Sequence, residues 1–334
     1  MSADGSNSSF VIFAVLIYWG CSLTTVFLNK NYMTTHSTKL DSPIFITWYQ
    51  SLIATVVCWV AGLFSKKFTK IPVVRFDYEE FKNVFPLSIT FVVMTTLTNF
   101  TLELLTVSSL LIVKSTVPIF VMIYSLYIFK KWSTKTSVLC AVVILIGYGM
   151  GMDQTYSRFV NMSEFNSTAL SFSLLSASTI GLYLTVYKRF LPTIDNCVYK
   201  LTFYNNLMTS LVLFIVMIFN GDFLVINEEF GYKSLSFWYI VALPGFFAYF
   251  SNVKQLFEDT SKSASFISFF AKLLVQTVFA TYYYNEVHTL LWWVGNAIIA
   301  SGLFLNFFFD DDNEETDTNA NEKYKLLEEE FNAV

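Results

Sequence analysis

Long apolar segments dominate this sequence, and they restrict its possible folds more than any other feature. A helix of about 20 apolar residues crosses the hydrocarbon core of a bilayer. Within lipid, the backbone can satisfy its own polar groups only as helices or closed barrels. With 54% hydrophobic and 14% charged residues, the chain is predicted to be an all-α membrane protein. Ten transmembrane helices are predicted, at residues 9–28, 44–64, 84–102, 108–129, 137–152, 168–187, 201–220, 237–253, 263–284 and 290–309.

The basic residues of the links predict how these helices are oriented. The links after the second, fourth, sixth and eighth segments carry 13 Lys and Arg residues, and those after the odd-numbered segments carry 4. The positive-inside rule therefore places the first set of links, and both termini, in the cytosol. The sequons at Asn161 and Asn166 then fall in a lumenal link, where they are candidate N-glycosylation sites.

The number of segments predicts an internal repeat. Five segments per half is an odd number, so the second half is expected to be inverted relative to the first, a 5+5 inverted repeat. Secondary transporters commonly have this architecture, with the substrate site near the membrane midplane where the repeats meet. The predicted parts are a cytosolic N-terminus (1–8), a first half (9–152), a lumenal linker (153–167), a second half (168–309) and an acidic cytosolic tail (310–334).

Two lysines lie deep in predicted membrane segments, at equivalent places in the two halves. Lys114 is in the fourth segment and Lys272 in the ninth. A charge at this depth is costly, about 3 kcal/mol on insertion scales, and such residues usually face a polar cavity or an anionic partner. Two cations in one cavity suit a doubly charged anion such as a diphosphate. Alternatively, each lysine snorkels to the interface or pairs with an acid such as Glu103.

The seventh segment opens with an aromatic and amide cluster. It consists of Phe203, Tyr204, Asn205 and Asn206. A tyrosine ring can stack on a base, and an asparagine amide offers both a donor and an acceptor to the edge of a guanine. Asparagine also joins membrane helices by hydrogen bonds, and the residues alone do not separate these two roles.

Several motifs resemble those of the nucleotide-sugar transporter family in the drug/metabolite transporter superfamily, and most of all its GDP-fucose branch. The resemblance covers nearly all of residues 15–308. Its motifs are Tyr18-Trp19, VFLNK (26–30), LDSPIFITWYQ (40–50), LTFYNN (201–206), Ala271-Lys272, Gln276-Thr277 and Tyr282-Tyr283…Glu286…Leu291-Trp292-Trp293.

The resemblance implies a Golgi exchanger, with the endoplasmic reticulum or an endosomal membrane as alternative locations. A cytosolic GDP-sugar, with GDP-fucose as the first candidate, would exchange for lumenal GMP by alternating access. Residues 203–206 would line the guanine pocket, and Lys272 and Lys114 would meet the diphosphate or sugar. A homodimer fits such a carrier. Secondary site candidates are Asn29, Lys30, Tyr49, Gln50, Asn99 and Gln276.

One departure from the family lies next to Lys272. The family has a glycine before the alanine–lysine pair, and here Ser268, Phe269 and Phe270 precede it. Two phenylalanines would fill space that glycine leaves for a ligand. This departure favours the alternatives: a transport-deficient paralogue that acts as a scaffold or regulator, or a carrier of another phosphorylated metabolite.

The remaining signals predict no enzyme, cofactor, metal site or nucleic-acid partner. The two histidines are not accompanied by a nucleophile, base or metal-binding constellation. The Asp310–Asp312 run belongs to the acidic tail, where a solvated charge cluster is the expected role. Within that tail, Tyr324–Leu327 fits a tyrosine-based sorting signal that cytosolic adaptors could bind.

Overall fold

The computed structural model describes residues 4–34, 43–64, 74–130, 132, 134–160, 166–222, 235–250 and 262–305. Every regular element in these residues is helical. In chain order the α-helices are α1 (Asp4–Thr34), α2 (Pro43–Phe64), α3 (Tyr78–Leu104), α4 (Leu110–Ser115), α5 (Val117–Phe129), α6 (Lys135–Val160), α7 (Asn166–Phe190), α8 (Val198–Asn220), α9 (Leu235–Phe250), α10 (Lys262–Tyr283) and α11 (Leu290–Leu305). A 3-10 turn, Leu191–Ile194, lies between α7 and α8.

Several of these helices are long and apolar enough to cross a membrane. Five stretches meet that condition: Pro43–Leu63, Tyr78–Leu104, Leu110–Phe129, Thr168–Tyr187 and Val198–Asn220. Shorter apolar helices occupy Lys135–Gly151, Leu235–Tyr249 and Leu290–Leu305. On α8, the exposed side chains Leu211, Ile215 and Ile218 form an apolar stripe at helical spacing, as a lipid-facing surface requires. The prediction of a helical, multi-span membrane protein is confirmed.

Some helix boundaries differ from the predicted ones. Helix α3 begins at Tyr78, ahead of the predicted start at residue 84, because the Asp77 carboxylate accepts the backbone N–H of Glu79 at 2.8 Å and caps the helix. Helix α6 continues to Val160, so part of the link predicted at 153–167 is helical.

The predicted fourth segment consists of two helices that are separated at Thr116, two residues after Lys114. Pro118 has no N–H to donate to the Lys114 carbonyl, and the helical hydrogen-bond pattern is interrupted at Thr116. The side chains of Ser115 and Thr116 donate instead to the carbonyls of Ile112 (2.6 Å) and Val113 (2.8 Å). Helix α4 therefore ends at Ser115 and α5 begins at Val117.

Helices from the first and second halves of the chain pack against one another. Helix α2 lies along α8, α3 packs against α7 and α8, and α9 packs against α1 and α2. Helix α4 contacts α6 and α10, and α5 contacts α7. Helices α6 and α11 approach closely at Gly295, where an added Cβ would lie 2.7 Å from the Gly151 nitrogen and 2.9 Å from the Gly147 carbonyl oxygen. Only glycine allows this separation.

Candidate functional site

Lys272 lies in the middle of α10, and its ammonium group contacts α1. Only 4% of the residue is exposed. The ammonium nitrogen donates hydrogen bonds to the Tyr18 hydroxyl and to the Ser22 hydroxyl, both at 2.9 Å. It also lies 4.6 Å from the centre of the Tyr18 ring, within the range of a cation–π contact. A buried cation on one helix is therefore stabilised by polar groups one turn apart on another.

Lys114 occupies the last turn of α4, at the break before α5. It is half-buried, whereas Ile112, Val113 and Ser115 around it are buried. No hydrogen bond or ion pair joins the ammonium group of Lys114 to another described residue. Because α4 packs against α10, the two lysines lie on neighbouring helices. Interrupted membrane helices next to a charge are typical of transporter binding sites.

The amides predicted to read guanine lie at helix interfaces. Asn205 is 2% exposed; its amide oxygen accepts from the Ser88 hydroxyl of α3 and its nitrogen donates to the Tyr183 hydroxyl of α7, both at 2.9 Å. Asn206 donates to the Thr202 carbonyl of its own helix at 2.8 Å. In this conformation Asn205 joins three helices, so a guanine edge would have to replace those hydroxyl partners.

Tyr204 and Phe203 are also buried, near the start of α8. The Tyr204 hydroxyl accepts from the Asp77 backbone N–H at 3.0 Å and donates to the Glu80 carboxylate at 2.8 Å. The same carboxylate accepts from the Lys200 ammonium at 2.5 Å. Contacts between Asp77–Glu80 and Asp195–Tyr204 therefore join the start of α3 to the start of α8.

Three of the secondary candidates form an amide network between α1, α2 and α3. The Gln50 amide donates to Asn29 at 2.7 Å, and Asn29 donates back at 3.3 Å. Asn29 also lies 3.5 Å from the Asn99 amide oxygen, and Asn99 donates to the Thr47 hydroxyl at 2.7 Å. The network joins polar groups that would be costly to leave unpaired inside a membrane.

The other secondary candidates have different surroundings. The Lys30 ammonium donates to three backbone carbonyls at the end of α3. Tyr49 packs edge-on against Trp238, with ring centres 5.0 Å apart. Gln276, one turn beyond Lys272, is 1% exposed, and its amide nitrogen has no hydrogen-bond partner among the described residues. A buried N–H donor that makes no hydrogen bond lowers the stability of the fold.

Sequence reasoning did not assign several residues that the structure brings to these places. Tyr18 and Ser22 hold Lys272, and Ser88, Tyr183 and Glu80 hold the residues at the start of α8. Tyr18 and Ser22 are four residues apart, so they share one face of a helix. That spacing is a usable signal, but nothing in the sequence pairs this face with Lys272.

The chain is similar to proteins of known family. The EamA-like transporter family model matches residues 8–150. A Caenorhabditis elegans protein named GDP-fucose transporter is 32% identical over 297 residues, covering 87% of this chain and 80% of that protein. The chain belongs to the nucleotide-sugar transporter family. The resemblance inferred from motifs such as LTFYNN is confirmed.

Further relatives extend over most of the chain. The Drosophila melanogaster protein named "GDP-fucose transporter, Golgi" is 28% identical, covering 86% of both chains. Mouse GDP-fucose transporter 1 is 29% identical, covering 90% of this chain and 85% of its own. A solved crystal structure that is 13% identical aligns with a TM-score of 0.50 over 91% of this chain and 98% of that one. This last likeness concerns the fold alone.

Some predicted features lie outside the described residues. They are the glycosylation candidate Asn161, the tail at 310–334 and the sorting signal Tyr324–Leu327. The backbones of Asn166, Phe269 and Phe270 belong to helices, but their side chains are not described.

Proposed function

We propose that the protein exchanges a cytosolic GDP-sugar, with GDP-fucose as the first candidate, for lumenal GMP. The observation that carries the proposal is Lys272, a buried ammonium held by the hydroxyls of Tyr18 and Ser22 on another helix. Both hydroxyls show that the ammonium is positioned for oxygen acceptors. A phosphate oxygen is a charged acceptor of the same kind, and its attraction to an ammonium is strengthened where water is scarce. The relatives named GDP-fucose transporter point to the same anion class.

We further propose a ten-span, 5+5 inverted repeat with both termini in the cytosol and halves at 9–152 and 168–309. If α4 and α5 count as one span, each helix has a counterpart five spans later. The contact of α3 with α7 then corresponds to that of α9 with α1, and the contact of α3 with α8 corresponds to that of α9 with α2. The contact of α2 with α8 corresponds to itself. This repetition is what a pseudo-two-fold axis requires.

Within this architecture, the diphosphate binds between Lys114 and Lys272. The two lysines are on packed helices from opposite halves. The break at Thr116 leaves α4 and α5 able to change their mutual angle without losing a continuous hydrogen-bond ladder. The amide nitrogen of Gln276, which lies one turn from Lys272 and has no hydrogen-bond partner within the described part of the chain, supplies a further donor for a phosphate or sugar oxygen.

The guanine is proposed to bind at residues 203–206. In the conformation described here, Asn205 already has hydroxyl partners of the two chemical types that a guanine edge offers, a donor and an acceptor. Binding would exchange Ser88 and Tyr183 for the base as α3 and α7 move away from α8. Asn205 would then exchange two hydrogen bonds to hydroxyls for two hydrogen bonds to the base. This exchange keeps the free-energy cost of separating α3 and α7 from α8 low.

The positive charges of Lys114 and Lys272 would couple the movement of one nucleotide to that of the other. When the site holds no anion, reorientation moves two ammonium groups through the low-dielectric centre of the membrane. A bound nucleotide neutralises them, so the loaded carrier reorients faster than the empty one. Under this hypothesis the transport cycle requires either the GDP-sugar or GMP in the site, and no ion gradient.

The lipid bilayer is the immediate environment, and a Golgi membrane is the proposed location. The Drosophila relative carries Golgi in its name. A homodimer and recognition of Tyr324–Leu327 by sorting adaptors complete the proposed partners. Asn161 and Asn166 are proposed to be glycosylated in the lumen.

Nucleotide-dependent thermal stability tests the substrate class. The purified protein is heated with GMP, UMP, AMP or inorganic phosphate, and the midpoint of unfolding is measured. The proposal predicts stabilisation by GMP and a weaker effect of the other monophosphates, because a ligand that binds only the folded state raises its stability. Equal midpoints with and without every nucleotide would contradict it and favour the scaffold. A response to phosphate alone would favour another phosphorylated metabolite.

A further inference from the structure

A group of polar side chains meets where α1, α3 and α10 end and α4 and α11 begin; it is called the Lys30 end. The Ser108 hydroxyl donates to the Oε2 atom of Glu286. The Nε2 atom of His288 lies 3.0 Å from the same carboxylate oxygen and 3.2 Å from the Ser108 oxygen. The side chains of His288 and Glu286 are only 6% and 10% exposed. These contacts join the α3–α4 link to the α10–α11 link.

The charges around His288 come from α1, α3 and the segment that follows α10. Among the described residues, the titratable groups here are Lys30 of α1, Glu103 of α3, Tyr284 after α10, and Glu286. Both carboxylates act electrostatically on Lys30, and Glu286 acts on Tyr284. With neutral His288, these groups carry one net negative charge. Protonation of His288 makes their sum zero, which favours the buried cluster.

The geometry of the imidazole ring also favours its cationic form. Its ring stacks on Trp292 with centres 3.8 Å apart and an interplanar angle of 8°. Trp292 is fully buried. A cation over an indole face is stabilised by the ring quadrupole. The contact with the Glu286 carboxylate requires a proton on Nε2, because an ionised carboxylate can only accept, and this hydrogen bond becomes stronger when the ring is cationic. Burial opposes the charge, but a carboxylate and an indole face compensate for the lost water.

We propose that Ser108, Glu286 and His288 form a latch that closes the Lys30 end, and that protonation of His288 strengthens it. The latch exists whatever the substrate is, but its physiological meaning rests on the orientation in the proposed function, in which this end faces the lumen. An acidic lumen would then slow opening on that side.

The closed latch and the protonation of His288 are thermodynamically linked, and this linkage determines how pH affects closure. A histidine that gains a carboxylate partner in the closed state titrates at higher pH there than in the open state. The extra stability of the closed latch is complete below the midpoint of the open-state histidine, at about pH 6.5. It is lost as the pH rises through the higher midpoint of the closed state. Acidification therefore favours closure.

Histidine titration by NMR tests the latch without any transport. The chain has two histidines, so ¹³C-histidine labelling of a His36→Gln protein in lipid nanodiscs leaves one signal, from His288. Its midpoint is expected to fall by about one pH unit, a tenfold loss of proton affinity, when Glu286→Gln is added. The exposed Glu79→Gln is the matched control and should leave the midpoint unchanged. Identical midpoints with and without Glu286→Gln would overturn the proposal, provided that both proteins have the same melting temperature.

Exchange kinetics test the consequence for transport. GMP-loaded proteoliposomes with internal pH between 5.5 and 7.5 should take up GDP-sugar more slowly at the acid end. His288→Gln, which keeps an N–H donor but cannot become cationic, should show a flat internal-pH profile. A variant profile that matches the wild type would overturn the latch. Absence of uptake at every pH would instead contradict the proposed function, and the NMR titration would still decide whether the latch exists.

Discussion

Replacement of Lys272 by methionine should weaken nucleotide binding about 30-fold. Methionine keeps a long unbranched side chain, so the change mainly removes the ammonium group. An anionic oxygen about 4 Å from that ammonium contributes about 4 kcal/mol at an effective dielectric constant of about 20. Binding also displaces one of the 2.9 Å hydrogen bonds to Tyr18 or Ser22, which costs about 2 kcal/mol for a charged donor. The remainder, about 2 kcal/mol, corresponds to about 30-fold in Kd.

Isothermal titration of GMP into the detergent-solubilised protein measures this ratio. Lys272→Arg should bind within a few-fold of the wild type because it keeps the charge. Lys82→Met is the matched control, since it removes one positive charge from an exposed position on α3, in its second turn. A Kd for Lys272→Met within threefold of the wild type, in a protein with an intact melting transition, would refute the assignment of Lys272 as the anion-binding group.

Three further predictions concern packing and the start of α8. Gly295→Ala should lower the stability by about 1–3 kcal/mol because its Cβ meets the backbone of α6, whereas Gly149→Ala, with open space around its Cβ, should leave the melting temperature unchanged. Asn205→Ala should both weaken GMP binding and cost about 2 kcal/mol of stability, since two hydroxyls lose their partner; a GMP Kd equal to the wild type would exclude it from the guanine pocket. Glu80→Ala should cost about 2 kcal/mol through the lost bonds to Lys200 and Tyr204, and equal melting temperatures for it and the exposed Glu79→Ala would contradict this.

The helical part of the fold was predictable because it depends on local properties. Runs of about 20 apolar residues predict membrane helices from length and composition alone. The break after Lys114 was not anticipated, although Pro118 is visible in the sequence. Proline is tolerated in membrane helices when hydroxyl groups satisfy the freed carbonyls. Here the hydroxyls of Ser115 and Thr116 bond the carbonyls of Ile112 and Val113 rather than the freed carbonyl of Lys114, and α4 ends at Ser115.

The candidate site was predictable residue by residue, but its partners were not. Lys272 is conspicuous because a charge is rare at that depth. Its partner Tyr18 is 254 positions away in sequence, and an aromatic residue in an apolar segment carries no sign of that pairing. The same holds for Asn205, whose partners Ser88 and Tyr183 are ordinary membrane-helix residues. Only the packing of α3 against both α7 and α8 brings them together.

Uptake of labelled GDP-fucose into proteoliposomes that are either preloaded with GMP or empty tests the proposed exchange most directly. GDP-mannose and a UDP-sugar are measured in parallel. Obligatory exchange predicts rapid uptake of a GDP-sugar only into GMP-loaded vesicles, and loss of that difference in Lys272→Met. Equal uptake into loaded and empty vesicles would contradict obligatory exchange, and no uptake of any nucleotide sugar by well-folded protein would contradict the proposed function itself.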